Sequence, residues 1–164
     1  MKRLLAAFAL ISASAFGWQN EIVINGQELV PGNYASAAFG GGAKAISLGG
    51  QYNRTVAEGV QLGIAPALAI ADTTTSKSTT VFTVVGGPTF SGPINAEGTS
   101  TVFLALAIGV GALPGSTQFL MRSDIGVRVP VFEHLSWRPS VSGFKTNKSD
   151  LFIQIVPLAF SILF

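Results

Sequence analysis

The sequence predicts an all-β fold: a transmembrane, antiparallel, up-and-down β-barrel of eight strands with both termini on the periplasmic side. Three observations predict it. The chain is very apolar, with 11% charged residues and a mean hydropathy of +0.50, yet after its first residues it holds no apolar run of about 18–20 residues. Two internal segments alternate large and small side chains at period two. The last residues alternate in the same way and stop on Phe164. A membrane chain without spanning helices has one other way to pair every backbone N–H and C=O, a sheet closed on itself.

The first fifteen residues read as a secretory signal. Lys2 and Arg3 precede the apolar stretch Leu4 to Ile11 (LLAAFALI), and Ala13-Ser14-Ala15 offers small residues for cleavage. Cleavage is expected after Ala15, with Gly17 as the alternative. The expected organisation is a cleaved signal over 1–15, an N-terminal extension or early strand over 16–30, and the barrel over 31–164. The chain has ten Lys/Arg and eight Asp/Glu. Losing Lys2 and Arg3 therefore leaves a balanced mature chain, which excludes an electrostatic nucleic-acid binder. It has no cysteine, which excludes disulfides and thiolate metal sites. No metal and no cofactor is expected.

In Val60 to Ala71 (VQLGIAPALAIA), Val60, Leu62, Ile64, Pro66, Leu68 and Ile70 alternate with Gln61, Gly63 and four alanines. Val102 to Gly111 repeats the pattern, with Val102, Leu104, Leu106, Ile108 and Val110 on one face. A helix needs period 3.6, so these are strands. One face is bulky and the other nearly all Ala and Gly, which suits a narrow barrel with lipid outside and a crowded lumen. A fully buried strand of a periplasmic sandwich is the alternative. Extending outward predicts strands at 31–41, 44–54, 59–71, 79–91, 99–113, 117–131, 135–145 and 150–164. For the first place, Glu21–Ile24 competes with Tyr34–Phe39. Asp72–Ser78 and Lys145–Asp150 are expected as outside loops, and Phe132–His134 as a periplasmic turn.

Alternation puts Arg122, Asp124 and Arg128 of the sixth strand and Arg138 of the seventh in the lumen. Such charges need partners or water. Asp124 neutralises one or two of these arginines, and Glu58, Glu97 or Glu133 is expected to complete the network. The network reads as a polar plug, or as the constriction of a thin anion-selective pore. In the hairpin Gly126–Pro139, Val129 is expected opposite Trp137, which places Trp137 at the lipid interface. Pro66 and Pro88, near Gly86-Gly87, are expected either to bend the wall or to weaken the seam between strands three and four and open a lateral path. In the last strand the bulky face passes from Leu151-Ile153-Ile155 to Leu158-Phe160-Ile162 across Pro157, which predicts a bulge there.

The segments Gly126-Val127-Arg128-Val129-Pro130 and Leu135-Ser136-Trp137-Arg138, with the alternation Leu158, Phe160, Ile162, Phe164, resemble the last two hairpins of OmpA/OmpX-like small outer-membrane barrels. The resemblance covers about 40 C-terminal residues and the signal. It implies a Gram-negative outer-membrane protein whose C-terminal strand is read by the barrel-assembly machinery. Pro157 departs from that pattern, and no peptidoglycan-binding domain is expected after the barrel. The partners expected are outer-membrane lipids including lipopolysaccharide, with the barrel monomeric. A structural or surface-interaction role is expected, without enzyme activity. The alternatives are a narrow pore or hydrophobic-molecule carrier, and an enzyme of the outer leaflet. His134-Leu135-Ser136 resembles the His-x-Ser pair of lipid A deacylases, for which Asp150 or Glu133 would serve as the carboxylate. Trp137 stands where that family has Asn.

Overall fold

The computed structural model describes residues 20–29, 44–73, 76–113, 116–147 and 152–164. The signal and the strand expected at 31–41 lie outside the described residues. The first place in the wall is taken by β1 (Asn20–Leu29). It is followed by β2 (Lys44–Ala57), β3 (Val60–Thr73), β4 (Ser76–Pro93), β5 (Thr101–Leu113) and β6 (Ser116–Pro130). The seventh wall segment comes in two pieces, β7 (Leu135–Trp137) and β8 (Ser140–Thr146), and the eighth in two, β9 (Phe152–Val156) and β10 (Ala159–Leu163). Each segment pairs antiparallel with its neighbours, and β10 pairs with β1, so the sheet is a closed ring. Closure removes the unpaired edges that an open sheet would expose.

The rungs show how far the strands tilt. Leaving Ile22 in one direction they pass through Tyr52, Ile64, Gly86, Ile108 and Met121 to reach Lys145. Leaving Ile22 in the other direction they pass through Ile162 to Leu135. The two paths meet the seventh segment ten residues apart, and this stagger sets the tilt of a closed barrel. Eight segments leave an interior that side chains alone can fill.

Side chains sort by parity. On β3, Leu62, Ile64, Leu68 and Ile70 are exposed while Gln61 and Ala65 are buried. On β5, Leu104, Leu106 and Ile108 face out while Phe103 and Ala105 face in. On β1, Ile22 and Ile24 face out and Glu21 and Val23 face in. The bulky-out, small-in reading of the two alternating segments describes this wall.

Two connections differ from expectation. The sequence places Asp72–Ser78 in an outside loop, but Asp72 and Thr73 continue β3 and Ser76 already begins β4. The run of Thr and Ser is compatible with strand, and the cross-strand pairing of Thr73 with Ser76 prolongs the ladder. Thr146, expected in the loop Lys145–Asp150, likewise belongs to β8, paired with Leu120.

The eighth segment carries the irregularity expected at Pro157. Ser140 pairs with Val156 and Trp137 pairs with Phe160. Two residues, Arg138 and Pro139, thus stand opposite three, Pro157, Leu158 and Ala159, which is the count of a β-bulge. Ile153 and Ile155 face out before it, and Leu158, Phe160 and Ile162 face out after it. Pro157 has no N–H to give the ladder, while its carbonyl accepts a 2.7 Å hydrogen bond from Trp137 Nε1. Inside, Val23, Val156 and Ala159 pack together against the bulge.

Candidate functional site

The lumen near the chain termini holds a charge network centred on Glu21. Its side chain is 0% exposed. Arg128 Nε donates to Glu21 Oε1 at 3.0 Å and Arg128 Nη2 to Oε2 at 2.8 Å. This is the two-pronged geometry that a planar guanidinium makes with a carboxylate. Asn53 Nδ2 donates to Oε2 at 2.9 Å, and Gln51 Nε2 donates to Asn53 Oδ1 at 2.7 Å. Arg128 Nη1 also donates to Thr101 Oγ1 at 3.2 Å. One carboxylate therefore ties β1, β2, β5 and β6 together across the barrel.

Arg138 is the second cation of this end. It is 5% exposed, with its Nε 3.9 Å from Glu21 Oε1. Its Nη1 donates to Gln51 Oε1 at 3.4 Å, and its guanidinium carbon sits 4.0 Å from the centre of the Phe103 ring. An aromatic face is a favourable seat for a desolvated guanidinium. Arg138 Nε and Nη2 lack hydrogen-bond partners among the described residues, so Arg138 is held less completely than Arg128.

Farther along the lumen, Arg122 and Asp124 form a second unit. Arg122 Nε donates to Asp124 Oδ1 at 3.0 Å, and the ion pair closes to 2.9 Å. Ser142 on β8 donates its hydroxyl to the same carboxylate. Beyond this pair Ala65, Val85 and Leu120 fill the bore, with Ala107 and Phe144 packed on them. A lumenal cavity beside Arg122 and Asp124 measures only about 10 Å³, about the room of one water molecule.

Glycine makes the network fit. Gly63 on β3 pairs with Asn53 on β2, and a Cβ at Gly63 would overlap Asn53 Oδ1 and come within 2.9 Å of the Tyr52 carbonyl oxygen. The small face of β3 is thus the space that the Asn53 amide occupies.

Arg122, Asp124, Arg128 and Arg138 all lie inside, but in two units rather than one. The carboxylate that completes the arginine pair is Glu21, whereas Glu58, Glu97 and Glu133 are exposed. Those three occupy turns, where water solvates a carboxylate better than the lumen does. Glu21 is missed when the first strand is placed at 31–41; the alternation of Ile22 and Ile24 with Glu21 and Val23 was the signal for it.

His134 and Ser136 lie on either side of Leu135 at the start of β7. His134 sits in the turn between β6 and β7 with its side chain 52% exposed and its Nε2 4.0 Å from Glu133 Oε1, while Ser136 is buried on the inward face. Asp150 lies outside the described residues.

On the outer wall, Trp137 faces out and Val129 stands opposite it. Tyr52 faces out near the same end and donates its hydroxyl to Asn20 Oδ1 at 2.8 Å. Leu158, Phe160, Ile162 and Phe164 all face out as well. Asn20 and Phe164 exchange two backbone hydrogen bonds, both of 3.0 Å, so the two ends of the barrel chain meet at one rim.

Pro66 and Pro88 leave the seam between β3 and β4 intact: Pro66 pairs with Val84 and Pro88 with Leu62. Interrupted rungs lie one seam over on each side: between β2 and β3 the pairing passes from Gly49–Ala67 to Tyr52–Ile64 without Pro66. Between β4 and β5 the pairing passes from Gly86–Ile108 to Thr89–Ala105 without Gly87 or Pro88. There the two backbones approach so closely that a Cβ at Gly87 would overlap the Leu106 carbonyl oxygen.

No family model matches the chain, and no curated protein matches it in sequence. Among solved structures it is similar in fold to the backbone structure of the Yersinia pestis outer membrane protein Ail in a phospholipid bilayer nanodisc, with a TM-score of 0.54 and 13% identity, over 90% of this chain and 99% of that one.

Proposed function

We propose that the chain is an integral protein of the bacterial outer membrane, an OmpA/OmpX-like barrel with a structural or surface-interaction role and no enzymatic activity. The observation that carries this reading is the inversion of inside and outside. Leu62, Ile64, Ile108, Phe119, Met121 and Ile125 face out, while Glu21, Asn53, Gln61, Asp124, Arg128 and Arg138 are buried. A continuous apolar exterior of this extent is unfavourable in water, where exposed apolar patches rarely exceed a few hundred Å². The same exterior is stabilising against hydrocarbon. Trp137 and Tyr52, each with its polar tip hydrogen-bonded, suit the interface at the rim where the termini meet. That rim faces the periplasm in this reading, and the outward row Leu158, Phe160, Ile162, Phe164 is what the assembly machinery recognises. Two ion-pair units and the Leu120 cluster obstruct the bore, which favours a plug over a pore.

The test is fractionation with a mobility assay. The mature protein should partition with outer membranes and migrate faster unheated than boiled on a denaturing gel. Recovery in the soluble periplasm with no heat-dependent shift would end the membrane reading. Planar bilayers containing the folded protein should stay electrically silent; unitary currents would instead favour the pore.

A further inference from the structure

The outer wall is not uniformly bulky. Following the outward positions across β4, β5, β6 and β8, one rung reads Gly86, Ile108, Met121, Lys145. The next reads Leu106, Ser123, Gly143. Gly86, Ser123 and Gly143 are small where their neighbours on the same face, such as Phe82, Phe119, Ile125 and Val141, are large and exposed. The result is a groove of about 540 Å³ floored by these small residues and walled by Leu106, Ile108 and Met121, with Lys145 among its lining. That volume falls within the roughly 300–1,000 Å³ of ordinary ligand sites.

Two features decide what fits. The groove is surrounded by outward apolar side chains, so in the membrane reading, on which this inference rests, its occupant comes from the hydrocarbon phase. Of the two cations in its lining, Arg122 is paired with Asp124, whereas Lys145 lies one residue from the end of β8, is exposed, and has no carboxylate partner among the described residues. A lysine on a lipid-facing wall is costly unless its ammonium reaches the interface or an anion. We propose that the groove seats an acyl chain of a net-anionic phospholipid, with the uncompensated charge of its phosphate drawn to Lys145. The small residues admit the chain beside the wall, and the ammonium supplies the head-group preference.

Native mass spectrometry of the folded barrel, released from mixed phosphatidylglycerol and phosphatidylcholine, reads this directly. Wild type should retain phosphatidylglycerol in preference. Lys145→Gln should cut that preference roughly fivefold, the effect of one lysine's attraction to an anionic lipid, while Ser123→Leu, which fills the groove, should lower retention of both lipids. Equal lipid loads in wild type and both variants would overturn the proposal, as would a Ser123→Leu variant that changes only the monomer–dimer balance, since the groove would then seat a second copy. Heat-dependent mobility of each variant reports folding separately. A chain that refolds in plain buffer without detergent would defeat the membrane reading itself, a result distinct from loss of lipid preference in a folded barrel.

Discussion

Glu21 is the residue on which most of the lumenal electrostatics converge. Replacing it with Ala leaves Arg128 without its carboxylate and Arg138 without its nearest anion, both in a lumen that solvates charge poorly. Removing one partner of such a buried pair costs about 3–5 kcal/mol, and Glu21→Ala is expected to lose that much in reversible urea unfolding followed by tryptophan fluorescence in lipid. A loss below about 1 kcal/mol, the usual value of an exposed pair, would mean the site is well hydrated. Gly63→Ala tests the same network through sterics. Its new methyl displaces the Asn53 amide from Glu21, and the expected cost is about 1–3 kcal/mol, as for other overpacked interiors. Much of this scale was legible: period-two parity is enough to put Arg122, Asp124, Arg128 and Arg138 inside. The pairing of Asp124 with an arginine was legible too, but the carboxylate that meets Arg128 was not, because it depends on β1 closing against β10, far away in sequence.

At the scale of elements, the bulge in the eighth segment reconciles two incompatible parities. Ile153 and Ile155 need one phase, and Leu158, Phe160 and Ile162 need the other. Deleting Pro157 leaves two residues opposite two and keeps every bulky residue outside. The deletion is therefore expected to fold, losing about 0.5–1.5 kcal/mol with the Trp137 hydrogen bond. Inserting one Ala after Pro157 also keeps the bulky residues on one face but sets four residues opposite Arg138 and Pro139, so it is expected to lower the unfolding midpoint more than the deletion does. The bulge could be located from sequence since a change of parity on a strand demands an extra residue. The interrupted β4–β5 rungs could not. Pro66 and Pro88 drew attention to the β3–β4 seam, but a strand has two neighbours, and only the register shows which of them a proline's missing donor faces.

Across the whole molecule, the apolar exterior and the obstructed bore set the behaviour. Ile108 faces out in the middle of β5, so Ile108→Arg should destabilise the barrel in a bilayer by about 2–4 kcal/mol, the cost of an arginine on the lipid face near the midplane. The comparison is reversible unfolding of the variant and wild type in the same vesicles; an unchanged midpoint would mean that Ile108 does not touch hydrocarbon.

Alternation along the chain is enough to make it strands, to say which side chains each strand turns outward, and to place the bulge in the last one. Those properties are local, since parity depends only on neighbours two residues away. Closure of the ring is what puts Asn20–Leu29 at its start and gives Arg128 to Glu21 rather than to a turn glutamate. These depend on closure and on a stagger of ten residues around the ring, which brings together positions that no local pattern relates.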